Sequence, residues 1–212
     1  MDFYKKNDGI NNYMALKKAF SQACENNRQP ILNRLTKIFS NTHNVLEIGS
    51  GTGQHAVFFS SNLPHLVWYT SDLPCNHHTI NAWIESSSAS NVRSPLVFDA
   101  NSTKWTNSLV DGLFTANTCH ILTWSALVNF FGRLHTILAP GGIFIIYGPF
   151  KYGGKFTSRS NQEFDLVLKN NFSHQGIRDF EALTKLAAGA GLKLIEDYSM
   201  PANNQLLVWK YE

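Results

Sequence analysis

The run Glu47-Ile48-Gly49-Ser50-Gly51-Thr52-Gly53 limits what this chain can become more than any other stretch of it. Val45-Leu46-Glu47-Ile48 is short and mostly apolar, as a buried strand is, and Ala56, Val57, Phe59 and Leu63 beyond the glycines fall at helical spacing. Three alternating glycines at a strand-to-helix turn let the backbone bend tightly and let a ligand approach the main chain. The helix that follows offers unpaired N–H groups to a carboxylate or a phosphate.

The alternation continues downstream. Leu66 to Ser71 reads as a strand ending at Asp72, and Ile80, Trp83 and Ile84 mark a helix. Leu96-Val97-Phe98 reads as a strand ending at Asp99, and Leu113 to Ala116 as a fourth. Trp124, Leu127, Val128, Phe131, Leu134 and Leu138 make the strongest amphipathic helix, with Pro140-Gly141-Gly142 as its stop and Ile143 to Tyr147 as a fifth strand. Strand and helix alternating from Val45 to Tyr147 argue for a parallel sheet covered by helices. In the tail, Phe180 to Gly191 reads as a helix ending at glycine, followed by strands at Leu192 to Ser199 and Gln205 to Tyr211. Their join, around Pro201 and Asn203-Asn204, permits antiparallel pairing but is too short for a parallel crossover. Ahead of the alternating region, the first dozen residues read as an arm and Met14 to Cys24 as a helix. Pro30 is expected to open a second helix, with Ile31, Leu32, Leu35, Ile38 and Phe39 on its apolar face.

Composition narrows the function classes. Lys and Arg number 18 against 15 Asp and Glu, a net charge of +3 without basic runs, which gives a nucleic-acid partner little support. The three cysteines, Cys24, Cys75 and Cys119, are widely spaced and form no CxxC, so free thiols in a reducing, cytoplasmic setting are expected. The start has no apolar h-region. The longest apolar stretch, Gly141 to Phe150, falls well short of the roughly 20 residues a membrane helix needs. HExxH, a paired-Cys zinc pattern and GxSxG are all absent, and the adjacent His77-His78 do not share a helix face, so no metal is expected.

Asp72 follows the glycine turn by about 20 residues at the end of the next strand, a spacing that suits a carboxylate bonding the hydroxyls of a ribose. Glu47, Asp72 and Asp99 thus stand at three consecutive strand ends. A dinucleotide fingerprint would be GxGxxG, but Gln54 occupies the third glycine position, and Glu47 sits poorly near phosphates. The carboxylate sits well near an ammonium or a sulfonium. S-adenosylmethionine, with an adenosine, a sulfonium and an amino-acid head, matches these groups better than NAD.

With these residues the region from Val45 to Tyr147 resembles the nucleotide-binding half of class I S-adenosylmethionine-dependent methyltransferases. Further stretches extend the resemblance: Asn27-Arg28-Gln29-Pro30-Ile31-Leu32, Leu46 through Ala56, Leu63-Pro64-His65-Leu66, Ala116-Asn117, His120-Ile121, Tyr147-Gly148-Pro149-Phe150-Lys151 and Met200-Pro201-Ala202-Asn203-Asn204. Together they resemble domain-of-unknown-function family 938, a methyltransferase-like group, over about residues 20 to 212. Asn26 and Arg28 depart from that pattern, where arginine and lysine are common.

The resemblance implies an α/β, Rossmann-like fold: a mostly parallel seven-stranded sheet with an antiparallel last strand and helices on both faces. It implies a helical extension over residues 1–40 and one S-adenosylmethionine-binding unit over 41–212. It also implies that Gly49, Ser50, Gly51, Thr52 and Gly53 lie against the methionine part, with Glu47 approaching the amino group. Asp72, with Leu73 beside it, would hold the ribose; Asp99 and Ala100 would reach the adenine; Asn117 would stand near the transferred methyl. Methyl transfer is an in-line displacement in which the protein mainly supplies alignment and excludes water. A base is needed only where the acceptor must lose a proton, and His120 is the first candidate, since histidine titrates near neutral pH. Tyr147 and Lys151 would face the same crevice, and Asn27, Arg28, Asn203 and Asn204 would close it from its ends. Gly153-Gly154-Lys155-Phe156 reads as a flexible loop able to cover the cleft. The expected activity is methyl transfer to a small molecule or a protein side chain, the alternative being a non-catalytic adenosyl-ligand-binding or scaffold protein of the same fold.

Overall fold

The computed structural model describes residues 18–102, 105 and 109–212. The arm expected over the first dozen residues and the start of the helix expected from Met14 to Cys24 lie outside them; of the rest of that helix, residues 18–21 are not helical and only Gln22 to Cys24 are. The first element is α1 (Gln22–Ile38), capped by Ser21, whose hydroxyl accepts from the Cys24 N–H at 3.3 Å. Pro30 lies inside this one helix instead of opening a second. Proline lacks the N–H that would bond the carbonyl four residues back. Burial of Ile31, Leu32 and Leu35 on both sides of the next turn holds the helix together across that gap.

The sheet runs through β1 (Asn44–Ile48), β2 (Val67–Asp72), β3 (Val92–Val97), β4 (Val110–Ala116), β5 (Leu138–Gly148), β9 (Leu192–Met200) and β10 (Asn204–Tyr211), in the spatial order β3-β2-β1-β4-β5-β10-β9. The pairs among the first five strands are parallel, while β10 runs antiparallel to both β5 and β9. The expected fold class is therefore the observed one. α2 (Gln54–Asn62) and α1 cover one face, where Phe59, Trp68 and Phe114 pack with Ile31, Leu35 and Phe39. α4 (Trp124–Gly132) and α6 (Phe180–Gly189) cover the other through Leu127, Phe130, Phe131, Leu183 and Ala187. α3 (His77–Glu85) packs beside the β3 edge.

Several boundaries differ from the sequence reading. β3 starts at Val92 and accommodates Pro95, because it is an edge strand whose register with β2 shifts between Tyr69 and Ser71. α4 ends at Gly132, and Leu134–Thr136 form a 3₁₀ turn. Pro140-Gly141-Gly142 does not stop a helix; it bulges within β5, where the register against β4 shifts between Val110 and Gly112.

Residues 150–179 hold structure that periodicity did not reveal. β6 (Phe150–Tyr152), β7 (Lys155–Phe156) and β8 (Arg178–Asp179) form a small separate sheet, and α5 (Arg159–Asn171) lies between its last two strands. The expected flexible cover at Gly153-Gly154 is instead the turn of the β6–β7 hairpin. Carboxylates fix it: the Gly153 N–H donates to Glu181 at 3.0 Å and the Gly154 N–H to Asp179 at 2.8 Å.

Candidate active site

The strand order reverses between β1 and β4, and at the carboxyl ends of such strands an open α/β sheet offers its crevice. A cavity of about 610 Å³ opens there. Its floor is the β1–α2 loop, of which Gly49, Ser50, Gly51 and Thr52 line it. The loop is tied to the neighbouring strand: the Gly49 and Ser50 N–H groups both donate to the Ser71 carbonyl, at 3.0 and 2.9 Å. Two glycines are obligatory. Gly49 has φ +71°, and a Cβ there would lie 2.7 Å from Thr118 Oγ1. Gly53 has φ +90° at the start of α2, and a Cβ there would lie 2.9 Å from the Ile80 backbone. A Cβ on Gly51 would meet nothing within 4 Å.

The carboxylates flank this floor and do not line the cavity. Glu47 lies within the sheet, 1% exposed. One of its oxygens accepts from Ser50 Oγ and from Trp68 Nε1, each at 3.1 Å. Burial pushes its carboxyl up to about 7, against the opposing effect of those two hydrogen bonds. Asp72 accepts from the Gly51 N–H at 2.7 Å, the Leu73 N–H at 2.7 Å and Asn76 Nδ2 at 2.8 Å, so the carboxylate braces the glycine loop across β2. Leu73 beside it is exposed. Asp99 is half-buried and accepts from the Asn101 backbone at 2.9 Å, while Ala100 next to it is buried and its carbonyl accepts from Asn129.

The remaining wall is assembled from distant segments. Asn117 follows β4 with φ +59°, held by its N–H to the Tyr147 carbonyl at 2.9 Å. His120 lies one turn further on, 5% exposed, with its ring edge-on to Phe164 at 5.4 Å. The turn that carries it is clamped by Arg178, whose guanidinium donates to the carbonyls of Cys119, Leu122 and His174. Burial, and then the Arg178 charge, lower the His120 imidazole to about 4, so it is neutral at pH 7. His55, on α2, is likewise lowered to about 4 by burial and donates from Nε2 to Asn27 Oδ1 at 2.7 Å. Tyr147, near the end of β5, is raised to about 12 by burial, an effect that hydrogen bonds from the amides of Asn27 and Asn204 oppose. Asn161 and Phe164 of α5 complete the wall, with Asn26 and Cys24 of α1 and the Pro201–Asn204 turn.

The cavity thus brings together Asn27, Gly49, Ser50, Gly51, Thr52, Asn117, His120, Tyr147 and Asn204 from the expected residues, but leaves Glu47, Gly53, Asp72, Leu73, Asp99 and Ala100 outside its lining. Lys151 lies over the Phe156 ring in the small sheet and Arg28 pairs with Glu25; neither lines the cavity. Asn203 reaches it only indirectly, accepting from Asn161 at 2.9 Å. Sequence reasoning missed His55, Asn161 and Phe164. Ser158 at an N-cap, followed by Phe164 and Leu168 four residues apart, was the available signal for α5.

A glycine-lined floor at the switch point of a β3-β2-β1-β4-β5-β10-β9 sheet is the mark of a Rossmann-like fold of the class I methyltransferase type. The likeness to solved structures is one of fold. An O-methyltransferase family protein from Burkholderia thailandensis superposes with a TM-score of 0.79 at 16% identity, covering 90% of this chain and 57% of that one. Human N-acetylserotonin methyltransferase in complex with SAM gives 0.73 at 16%, covering 89% and 52%. PigF with SAH gives 0.73 at 14%, covering 94% and 64%. The chain spans just over half to nearly two thirds of the length of these proteins. Residues 18–211 match the model of a family described as protein of unknown function, DUF938, and the chain belongs to that family.

Proposed function

We propose that this protein binds S-adenosylmethionine on the Gly49–Gly53 floor and is a methyltransferase acting on an acceptor that enters the same cavity. The observation that carries the reading is Gly51. Its bare Cα faces open space in a cavity at the switch point, leaving room that any side chain would fill. The donor set fits the group as well. The loop N–H groups suit a carboxylate, and Glu47 beneath them is a carboxyl that an adjacent ammonium would hold ionised. Asp72 keeps one lone-pair site, on Oδ2, for a ribose hydroxyl in addition to its three present donors. Leu73, Asp99, Ala100 and Asn117 extend the site along the neighbouring strand ends.

When bound, S-adenosylmethionine supplies an electrophilic methyl on a sulfonium. This chain's part is to align and to exclude water. Phe164, Pro149 and Pro201 wall the cavity with apolar surface. His120, neutral and lining the cavity, is placed to take a proton from an acceptor as it reacts. Tyr147 orients that acceptor.

Calorimetry with S-adenosylmethionine and with S-adenosylhomocysteine tests the reading. Heat of binding for both, with label passing from methyl-labelled S-adenosylmethionine into a component of a cell extract, is the expected result. A folded sample that gives heat with neither ligand overturns it.

A further inference from the structure

The wall opposite the glycine floor has a distinctive chemistry. Among the described residues, no Asp, Glu, Lys or Arg lines the cavity. The polar groups facing the floor are amides, a phenol, two imidazoles, the Ser21 and Ser160 hydroxyls and the Cys24 thiol, and both imidazoles are neutral at pH 7. An ammonium or guanidinium entering here would meet no carboxylate on this wall to offset a positive cofactor, and a phosphate or carboxylate would meet no cation. The separate groove that does carry cations, Arg34 and Lys37, shares only Pro201 with the cavity.

Two groups on this wall ask for a specific partner. Asn161, 5% exposed, spends both amide hydrogens inside the protein, on Thr157 Oγ1 and on the Asn203 carbonyl, each at 2.9 Å. Among the described residues its Oδ1 has no donor. The His120 ring, also 5% exposed, makes its edge contact with Phe164 but no hydrogen bond among the described residues. A neutral imidazole keeps one acceptor nitrogen. Both acceptors lie on residues that line the cavity, where a ligand bringing O–H or N–H groups would pair with them in place of water. Tyr147 adds a hydroxyl held by Asn27 and Asn204, and Phe164 an apolar ring edge.

We infer that the methyl acceptor is a small molecule, uncharged where it meets this wall, that brings at least two O–H or N–H donors to His120 and Asn161, one of them on the atom that receives the methyl. This rests on the reading of the site as methyl-transferring, and it sets aside lysine and arginine side chains, phosphorylated groups and nucleic acid as acceptors. The test uses the full chain loaded with S-adenosylhomocysteine and follows binding by calorimetry or ligand-observed NMR. The probes are the three benzenediols, benzylamine and phenyl phosphate, which share one ring and differ in charge. At least one benzenediol is expected to bind about tenfold or more tighter than either charged probe, with the preference reduced in Tyr147→Phe by about the worth of one hydrogen bond. Equal or tighter binding of benzylamine or phenyl phosphate, or no binding of any benzenediol, overturns the inference. Loading is measured first. Failure of S-adenosylhomocysteine to bind counts against the proposed function, whereas successful loading with the wrong probe ranking counts against the acceptor class alone.

Discussion

The two walls of the cavity are built on opposite plans. The floor comes from one contiguous stretch, Gly49 to Thr52, held by backbone hydrogen bonds to β2 and braced from behind by Glu47 and Asp72. The facing wall takes Asn27 from α1, His55 from α2, His120 from the turn after β4, Tyr147 from β5, Asn161 from α5 and Asn204 from β10. Carboxylates gather behind the floor, while the facing wall is lined by neutral groups. A surface made of main chain and braced by local carboxylates recognises a ligand through backbone shape and charge. A surface made of side chains from six elements recognises one through hydrogen-bond pattern, and changes whenever one element moves.

This contrast can be broken by mutation. On the facing wall, His120→Gln is expected to lower turnover by about 10²–10⁴-fold, the usual worth of a general base, while S-adenosylhomocysteine binds as in the unaltered protein. Retained turnover, measured with methyl-labelled cofactor, would remove His120 from proton transfer. Behind the floor, at the start of α2, Gly53→Ala combines a positive φ with a backbone contact at 2.9 Å and is expected to cost about 2–4 kcal/mol in urea unfolding. Gly51→Ala, at φ +58° in open space, is expected to cost about 1 kcal/mol of stability and to act instead on cofactor affinity. A fold loss equal to that of Gly53→Ala would show that the two positions do not differ as their surroundings imply.

Proton linkage separates the walls by sign. His55 and His120 fall from 6.5 to about 4 on folding, so the unfolded chain binds their protons first and stability is lost as pH drops from about 6.5 to 4. Glu47 rises from 4.5 to about 7, so the folded chain holds its proton and this group alone favours folding as pH drops from about 7 to 4.5. Two groups against one leave a net loss of about 3 kcal/mol between pH 6.5 and 4.5. Glu47→Gln removes the opposing group and is expected to roughly double that slope in urea titrations; an unchanged slope would mean the carboxyl is already ionised in the folded protein. Of smaller effect, Asp72→Ala is expected to weaken S-adenosylhomocysteine binding by about 1–3 kcal/mol through loss of charge-assisted hydrogen bonding. An unchanged dissociation constant would place the ribose elsewhere.

Legibility in the sequence followed the range of the interactions. The glycine turn, the carboxylates at strand ends and the antiparallel tail are short-range features, set by φ/ψ sterics, strand periodicity and loop length, and each was readable from neighbours in sequence. Pro30 misled because proline's usual helical place is the first turn; here Ser21 supplies the cap and buried Leu32 and Leu35 hold the helix beyond it. Residues 150–179 were opaque because α5 buries only Asn161, Asp165 and Leu168, two of them polar, so it shows no apolar stripe. Asp165 is stabilised instead by Lys169, one helical turn on, at 2.6 Å and by the Ile177 N–H at 2.7 Å, the second a partner that sequence spacing does not single out.

By itself, the order of residues determined the parallel α/β architecture, the reversed last strand and the bend at Gly49–Gly53, because steric limits and side-chain periodicity act between neighbours along the chain. Only the tertiary structure decided that Glu47 lies beneath the floor, that His55 and His120 are neutral, and that Asn161 faces them from α5. Desolvation and hydrogen-bond partnership depend on which distant groups pack together, and the folded arrangement brings residues as far apart as Asn27 and Asn204 against one phenol.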